Sequence, residues 1–361
     1  MKKTRKIAYV VLALFALCLV CASFTSCKKK SEKKVAVAGV LSYLGFSEDQ
    51  FGSYYEGRRG IIDILEEQGY VHVNDKENVL SKLANRPKIR YYDSLDSLLM
   101  ALKSGEIEMI MGLPQTTAIY LHSKDEMLGS AFYYDFKKPR EKGSFAENAF
   151  ARLCDGFSFM FLEKNEELCY QFSNAIEEMQ SDGIMEKLID EQIISAMYGQ
   201  ELTVAAPEQK EGRETIKVAV TGDLPPMDYI AADGTFAGFN TALLAEIGKR
   251  LDKNIKLVQV TSVGRATALA SGTVDVVFWT RSNAVSQNSK MSSEEFFAWR
   301  DERRARGTDA ENEAMKALTA AFGGGEDSDI RDIMRQRDMP EGTIITIPYF
   351  EDMTVSVVRK Y

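Results

Sequence analysis

The sequence predicts two α/β lobes with a cleft between them, and an internal near-repeat is the first reason. Residues 34–39 recur approximately at 217–222, and residues 101–108 recur at 268–275. In each copy an apolar run comes first, and a helix ending in Ser-Gly then leads into a second apolar run. A repeated supersecondary unit of this kind indicates two lobes built on one plan.

Strands and helices alternate along the first half of the chain, which is typical of a mostly parallel sheet covered by helices on both faces. Short apolar runs predict strands over 34–42, 88–92, 107–111 and 156–162. Apolar residues at helical spacing predict helices over 57–69, 93–105, 165–180 and 183–197, and a further helix that starts at 114.

The second half repeats this alternation after a polar stretch over 201–214, which contains Pro207 and indicates a linker. Strands are predicted over 216–220, 255–260, 274–279, 343–347 and 354–358, and helices over 240–251 and 265–270. Residues 283–340 differ, because they are strongly charged with a helical period, and Thr308 and Glu311 fit a capping box. We expect an amphipathic helical hairpin with a solvated charged face. A docking or lid element is the alternative.

The N-terminus has the pattern of an export signal. Residues 2–6 carry four basic side chains, residues 7–20 form an apolar run, and a small-residue pair precedes Cys27. This order predicts a lipoprotein signal peptide over 1–26, lipidation of Cys27 and a polar tether over 27–33. An uncleaved signal anchor is the alternative, although the apolar run is short for a membrane-spanning helix. Both predict a chain outside the cytoplasm and attached to a membrane, in the periplasm or at the cell surface.

Charge and composition argue against several classes of function. The net charge of −8 becomes −12 when the four basic residues of the signal are removed, and no basic stripe is visible, so we do not expect nucleic-acid binding. The histidines are His72 and His122, and no Cys/His cluster has metal-ligand spacing, so we expect no metal and no cofactor. Cys154 and Cys169 could pair outside the cytoplasm, or remain two buried thiols.

The second half opens with a set of motifs that together are specific. They are Gly-Asp-Leu-Pro-Pro-Met-Asp-Tyr at 222–229, Asp-Gly at 233–234, Ala-Gly-Phe-Asn at 237–240 and Leu-x-x-Gly-x-x-Asp at 269–275. This set resembles the family 3 bacterial extracellular solute-binding proteins, which are polar amino-acid binding components of ABC importers. The resemblance implies the bilobal periplasmic-binding-protein-like type II fold, with two mixed sheets flanked by helices and a cleft between them.

The lobes stand in an unusual order for that family. Residues 215–361, with 283–340 as an insert, resemble its first lobe, residues 34–155 resemble its second lobe, and residues 156–200 resemble its hinge strand and return helices. We therefore expect a circular permutant of one binding protein, because each half alone would leave one face of the cleft open and both ends would lie at the hinge. Two incomplete tandem domains are the alternative.

Ligands of such folds lie at the carboxyl ends of strands and at helix N-termini. In the 215–361 lobe these positions are Asp223, Met227, Tyr229, Trp279, Thr280 and Arg281. The resemblance implies that Arg281 binds a ligand carboxylate, which a guanidinium matches with two hydrogen bonds. A surface arginine paired within the insert is the alternative. Tyr229 and Trp279 could enclose an apolar ligand body, or could be core aromatics.

In the 34–155 lobe the matching positions are Ser42, Tyr43, Gln115 and Thr116. The family often has an aspartate nearby that holds the amino group of the ligand, whereas this sequence has Leu113 at that position. The departure leaves the binding of a standard α-amino acid open. Asp223 could substitute for the missing carboxylate, or the ligand could lack an amine.

The resemblance implies a lipid-anchored monomeric receptor, not an enzyme, that delivers a small, amino-acid-like carboxylate solute to the permease of an ABC importer. A sensory or partner-binding module without transport is the first alternative. A dehydratase on the same fold is the second. It would need a buried carboxylate placed as acid or base, and Glu108 and Asp275 instead fall in predicted structural strands.

Overall fold

The computed structural model describes residues 36–42, 59–73, 87–130, 132–135, 138–200, 206–283, 293–321 and 342–360. The predicted signal peptide, the tether, Cys27 and Tyr43 lie outside these residues. For Trp279, Thr280 and Arg281 the description covers the backbone and not the side chains. Within the described ranges, no helix is both long enough and apolar enough to cross a membrane.

Strands and helices alternate along the described part of the chain, as the sequence predicts. The strands are β1 (Val37–Leu41), β2 (Val71–Val73), β3 (Lys88–Tyr92), β4 (Met109–Pro114), β5 (Leu128–Ser130), β6 (Phe132–Tyr134), β7 (Cys154–Leu162), β8 (Thr215–Val220), β9 (Asp223–Leu224), β10 (Asp228–Ile230), β11 (Phe236–Ala237), β12 (Asn254–Gln259), β13 (Val276–Asn283), β14 (Thr343–Ile345) and β15 (Phe350–Arg359). The helices are α1 (59–67), α2 (Leu95–Ser104), α3 (Gln115–Lys124), α4 (Phe145–Leu153), α5 (Glu166–Ser181), α6 (Ile184–Ile189, continued by a π-helical turn Asp190–Ile194 and a last turn Ser195–Met197), α7 (Phe239–Leu251), α8 (Arg265–Ala270), α9 (Ser293–Arg306) and α10 (Asp309–Ala321).

The central sheet consists of two five-stranded halves with the same plan. One half, the N-lobe sheet, has the order β3-β1-β4-β15-β5, and the other, the C-lobe sheet, has the order β12-β8-β13-β7-β14. In each half the first three strands are parallel, and the fourth strand runs antiparallel to both of its neighbours. The predicted bilobal α/β architecture with mixed sheets is confirmed.

The fourth strand of each sheet comes from the other part of the chain. Strand β7 precedes the C-lobe strands in sequence but lies between β13 and β14, and β15 follows them but lies between β4 and β5 of the N-lobe. The two strands also pair with each other, from Phe350 opposite Phe157 to Met353 opposite Cys154. The sequence predicts that residues 215–361 form one lobe. The sheets differ from this prediction, because β15 belongs to these residues but completes the N-lobe sheet.

The helix ends of the predicted repeat have the same geometry in both lobes. Gly105 after α2 (φ 78°) and Gly272 after α8 (φ 72°) both adopt the left-handed conformation that glycine permits without strain. The following amide then donates a 3.0 Å hydrogen bond to the carbonyl five residues earlier, from Glu106 to Ala101 and from Thr273 to Ala268. This part of the repeat is confirmed.

For the first part of the repeat, the strand register that the sequence similarity implies is wrong. Glu108 and Asp275, which follow the two glycines at the same distance, donate their amides to the carbonyls of Val37 (2.8 Å) and Lys217 (2.9 Å). Val37 is therefore the equivalent of Lys217, whereas the sequence similarity aligns Lys217 with Lys34. A shift of three residues is an odd number, so it would turn every side chain of the strand to the opposite face of the sheet.

Some element bounds also differ from those predicted. Strand β13 continues to Asn283 because its second half pairs with β7, and β15 begins at Phe350 because its first residues pair with the same strand. The short strands β2, β5 and β6 fall where no strand is predicted. Packing beneath β7 is aromatic, with ring centroids of Phe159 and Tyr349 4.7 Å apart.

The described part of the insert consists of two successive helices, α9 and α10, as its helical period predicts; their packing as a hairpin stays a prediction. Thr308 and Glu311 form the predicted capping box: the Thr308 amide donates to Glu311 Oε2 (2.8 Å), and the Glu311 amide donates to Thr308 Oγ1 (3.2 Å). Helix α10 buries Ala314 and Leu318 in the main hydrophobic core, while its other face is exposed.

Cys154 and Cys169, the two cysteines of the described chain, are both buried and are thiols, not joined in a disulfide. Burial raises the pKa of the Cys169 thiol to about 12, and the nearby Glu166 carboxylate adds to the effect. Of the two predicted alternatives, the structure therefore favours buried thiols over a disulfide.

Candidate functional site

The two lobes meet where the segment after β8 faces two N-lobe helices, α2 and α3. Helix α2 approaches strand β9, and the ring of Tyr120 in α3 lies 6.4 Å from the ring of Tyr229 in β10, centroid to centroid. The carboxyl ends of parallel strands lie here on both sides, which is the usual place for ligands in α/β folds. We therefore take this interlobe cleft as the candidate site.

Buried Asp228 shapes the loop that follows β8. Its Oδ2 accepts hydrogen bonds from the backbone N–H groups of Thr221 (2.8 Å) and Gly222 (2.9 Å). Burial raises the pKa of Asp228 to about 6, although these hydrogen bonds act in the opposite direction. Because the side chain is fully buried and points into its own loop, it holds the loop in place and leaves the cleft to its neighbours.

Two predicted residues, Asp223 and Tyr229, stand together on this loop. They lie opposite each other in the antiparallel pair of β9 and β10, so their side chains share one face. Oδ1 of Asp223 is buried without a hydrogen-bond partner among the described residues. Desolvation raises the pKa of Asp223, while Thr221, the backbone N–H of Leu95 and the charge of Arg265 lower it. A half-buried carboxylate with an open acceptor can hold a hydrogen-bond donor or cation.

Arg265 is a site residue that the sequence motifs do not indicate. It is the first residue of α8, half-buried, and its Nη1 donates a 3.2 Å hydrogen bond to the carbonyl of Phe278 in β13. Its positive charge lowers the pKa of the Asp223 carboxyl. A guanidinium held at the end of a strand in a cleft can bind a carboxylate. The local sequence Gly264-Arg265 resembles any helix start, so no signal marks it.

The N-lobe side of the cleft is organised by serines. The Ser42 hydroxyl lies 2.8 Å from the Tyr92 carbonyl and 2.6 Å from Asp93 Oδ1 and shares its one proton between these two acceptors, which ties the carboxyl ends of β1 and β3 together. Ser94 caps α2 by accepting from the Ser97 amide (3.3 Å). The N-terminus of α2 thus faces the loop that carries Asp223. A direct contact of Ser42 with a solute stays a prediction.

Tyr120, in α3, is a second residue that the sequence motifs do not indicate. Its ring is half-buried against Tyr229, tilted by 35°, and burial raises the pKa of both tyrosines. Lys124 Nζ lies 5.5 Å from the centroid of the Tyr120 ring. The aromatic partner of Tyr229 in the described chain is therefore Tyr120 of the opposite lobe, whereas the sequence suggests Trp279, whose side chain is outside the description.

Three predicted contacts, Met227, Gln115 and Thr116, are fully buried. Gln115 exchanges two hydrogen bonds with the backbone of Tyr134 (2.9 and 2.7 Å). Thr116 donates from its amide (3.0 Å) and hydroxyl (2.7 Å) to Asp352 of β15. The three side chains are therefore part of the packed interior, and their contact with a solute stays a prediction.

The predicted carboxylate contact Arg281 lies with Trp279 and Thr280 in the second half of β13. There the backbone pairs with the crossing strand β7, with Thr280 opposite Ser158 and Arg281 opposite Phe157. This position adjoins the hinge.

No metal chemistry is indicated by the residues that the structure describes, since none of their His, Cys, Asp and Glu side chains gather in a group of three or more that could hold an ion. The carboxyls predicted to be structural, Glu108 and Asp275, flank the repeated strands. Asp275 Oδ2 accepts from the Lys217 amide (2.9 Å), as a structural residue would.

Residues 216–293 match the model of the bacterial extracellular solute-binding proteins, family 3. The match begins within β8 and includes Asp223, Tyr229, Arg265 and Arg281. It confirms the resemblance read from the motifs over the segment that it covers. A search of curated protein sequences finds no match to the chain.

Several solved structures are similar in fold. An ABC-transporter periplasmic substrate-binding protein from Coxiella burnetii is 9% identical, with 90% of this chain and 84% of that chain covered and a TM-score of 0.30. A nutrient binding protein from Burkholderia cenocepacia bound to methionine is 11% identical, with coverage of 90% and 85% and a TM-score of 0.34.

A periplasmic binding protein from Brucella ovis with glutathione bound is 11% identical, with a TM-score of 0.35. The alignment covers 91% of this chain but only 63% of the Brucella protein. At these identities and TM-scores the similarities carry no argument about this chain.

Proposed function

We propose that this protein binds a small solute in the interlobe cleft and delivers it to an ABC importer. The observation that carries the proposal is the convergence of Asp223, Tyr229 and Arg265 on one side of the cleft with the N-terminus of α2 on the other. The match of residues 216–293 to a solute-binding family supports it. Lipid attachment at Cys27 would hold the receptor at the membrane next to its permease.

The charges of the cleft favour a solute that carries a carboxylate. Arg265 offers a guanidinium fixed by the Phe278 carbonyl, and the positive end of the α2 dipole would add to the attraction for an anion. Arg281 stays a candidate for the same role. Asp223 has an open acceptor oxygen, which fits an amine or another donor on the same solute. An amino-acid-like molecule satisfies both groups, although Leu113 is buried and supplies no carboxylate.

We also propose that the chain is a circular permutant of one solute-binding protein. The family match begins at residue 216, well after the N-lobe strands. Each lobe sheet is completed by a strand from the other part of the chain, which two tandem domains would not need. The termini of the described chain support it too, since β1 and β15 lie in the same sheet, separated only by β4.

A thermal-shift screen with amino acids, small carboxylates and amines tests the proposed function, because a bound solute raises the unfolding temperature by mass action. For any hit, we expect Arg265→Ala to weaken binding at least tenfold by calorimetry. Arg213→Ala, which removes a partly buried arginine paired with the exposed Asp252, is the matched control. Loss of binding in Arg281→Ala alone would move the carboxylate contact to that residue. A well-folded protein with no hit would favour a sensory or partner-binding module.

A further inference from the structure

Two side-chain contacts in the cleft run directly from one lobe to the other. The rings of Tyr120 and Tyr229 touch, with centroids 6.4 Å apart. Helix α2 of the N-lobe contacts β9 of the C-lobe, and there the backbone N–H of Leu95, the first residue of α2, lies close enough to the Asp223 carboxyl to lower its pKa. A helix N-terminus carries unpaired N–H groups and the positive end of the helix dipole, so a carboxylate is stabilised there. We call these two contacts the cleft latch.

The insert supplies an independent tie. Its helices α9 and α10 follow β13 and precede β14, which are both strands of the C-lobe sheet. The helices nevertheless rest on the N-lobe. Gln68, just after α1, donates to Glu311 of α10 (3.2 Å), and the guanidinium of Arg303 in α9 lies 3.7 Å from the Glu147 carboxylate of α4.

The contact between the insert and the N-lobe is apolar as well as polar. Ala314 packs against the backbone of α1 at Gly60, where an added methyl group would lie 3.5 Å from the Ala314 side chain. Leu318, one turn further along α10, is fully buried. Burying apolar side chains of this size stabilises the contact by roughly 1–3 kcal/mol each. A segment that begins and ends on C-lobe strands is thereby fastened to the opposite lobe.

Helix α6 is a third element that touches both lobes. Its first turns pack against α7 of the C-lobe, and its last turn, Ser195–Met197, packs against α3 of the N-lobe. The π-helical turn Asp190–Ile194 lies between the two contacts, and Ser195 Oγ donates to the Asp190 carbonyl across it (2.9 Å). Single π-turns within helices are frequent at functional sites.

From these ties we infer that the protein closes its cleft by its own contacts, with the cleft latch in the place where a solute would otherwise bridge the lobes. A solute then enters only when the latch opens. Its apparent affinity is reduced by the small open fraction, as for any ligand whose binding-competent state is a minor one. The latch holds the resting conformation, whichever solute the cleft accepts.

Hydrogen exchange measured by mass spectrometry tests the latch directly. The Leu95 amide is the first of α2 and has no carbonyl partner within its own helix, so its protection depends on Asp223. We expect slow exchange in the purified protein without added solute. In the double variant Asp223→Ala/Tyr229→Ala we expect the peptide over 93–99 to lose protection on the order of tenfold or more, and the radius of gyration from X-ray scattering to increase.

The control is the double variant Tyr170→Ala/Glu177→Ala, which removes an exposed tyrosine and an exposed carboxylate from α5, away from the cleft. Circular dichroism shows whether each variant is folded. Fast exchange at Leu95 together with an extended scattering profile in the parent protein would overturn the inference. Exchange and scattering in the cleft variant that equal those of the control would overturn it too, because the latch would then not hold the lobes.

Discussion

Asp352 is a buried carboxyl at the junction of the lobes. It lies in the part of β15 that pairs with β7, and its Oδ2 accepts from the amide and hydroxyl of Thr116 at the start of α3. Helix α3 has Pro114 at its N-cap position and no side-chain cap of its own, so Asp352 supplies one from a distant strand. Burial raises the pKa of Asp352 to about 7, against the effect of these hydrogen bonds.

This pKa leads to a predicted pH dependence of stability. The unfolded chain loses the Asp352 proton near pH 4, while the folded protein keeps it to about pH 7. The folded state therefore binds more protons in this window, and the contribution of Asp352 to the free energy of unfolding falls as the pH rises from 4 to 7. We expect Asp352→Asn to reduce the loss of stability between pH 5 and pH 8, measured by urea unfolding.

The matched control for Asp352→Asn is Glu177→Gln, which neutralises an exposed carboxyl on α5. Asp228, with a pKa raised to about 6, contributes in the same direction and is present in both variants. A pH dependence in Asp352→Asn that equals the one in Glu177→Gln would contradict the assignment of the raised pKa to this carboxyl.

Some site residues could be predicted because their position is local. Asp223 and Tyr229 follow directly after a strand, in a loop that its prolines and its Asp-Gly turn identify in the sequence. The structure brings both residues to the cleft. Arg265 and Tyr120 could not be predicted in the same way. Their neighbours, the Phe278 carbonyl and Tyr229, are brought to them only by sheet formation and by the approach of the lobes.

At the scale of single elements, the repeated Ser-Gly helix ends give a paired prediction. Gly105 and Gly272 both have positive φ in the left-handed region, where a Cβ atom costs about 1 kcal/mol or somewhat more. Since the hydrogen bonds that follow are the same in both lobes, we expect Gly105→Ala and Gly272→Ala to reduce the free energy of unfolding by similar amounts. Urea denaturation measures this.

Ser104→Ala is the control for the glycine pair, because it changes the preceding side chain, on the exposed surface of α2, and leaves the left-handed residue in place. We expect its effect to stay within about 0.5 kcal/mol. A loss for one glycine and none for the other would show that the two helix ends are not energetically equivalent, despite their common geometry.

Helix periodicity predicted α2, α5 and α7 well, because apolar residues recur at helical spacing along each of these helices. Strand register was less predictable. The similarity of 34–39 to 217–222 is a similarity of composition, and both stretches alternate small and β-branched residues that fit several registers. Pairing with β3 and β4 decides that β1 starts at Val37, and this information lies in other segments of the chain.

The insert offers a prediction about packing. Leu318 of α10 is fully buried in the main core, so Leu318→Ala removes apolar contacts and leaves a cavity. We expect the free energy of unfolding to fall by about 2–5 kcal/mol. Glu313→Ala, on the exposed face of the same helix, should change it by about 0.5 kcal/mol at most. Equal stability of the two variants in urea would mean that α10 lies outside the cooperative fold.

At the scale of the whole molecule, the exchanged strands decide how the lobes depend on each other. The N-lobe sheet lacks its fourth strand without β15, and the C-lobe sheet lacks its fourth strand without β7. Loss of β15 would leave β4 and β5 of the N-lobe sheet without the strand that both pair with. Loss of β7 would do the same to β13 and β14 of the C-lobe sheet. The alternation of strands and helices predicts two lobes, but nothing in local sequence predicts this exchange, since it follows from which chain segments cross the hinge.

We therefore expect the two lobes to unfold in one transition, and a variant in one lobe should report in the other. Leu98 is fully buried in α2 of the N-lobe, and Leu98→Ala should reduce stability by about 2–5 kcal/mol. In a Trp299→Phe background, the remaining tryptophan is Trp279 in β13 of the C-lobe sheet. If the lobes are cooperative, Leu98→Ala shifts the urea midpoint of Trp279 fluorescence as far as that of far-ultraviolet circular dichroism.

The reciprocal variant Leu244→Ala, buried in α7 of the C-lobe, completes the comparison. It should shift both signals together in the same way, because the crossing strands transmit the loss of either sheet to the other. A Leu98→Ala protein in which dichroism shows two steps while Trp279 fluorescence keeps the parent midpoint would mean that each lobe is stable without its exchanged strand. The pairing of β7 with β15 would then be a flexible connection between independent lobes, and the lobes could separate without a general loss of structure.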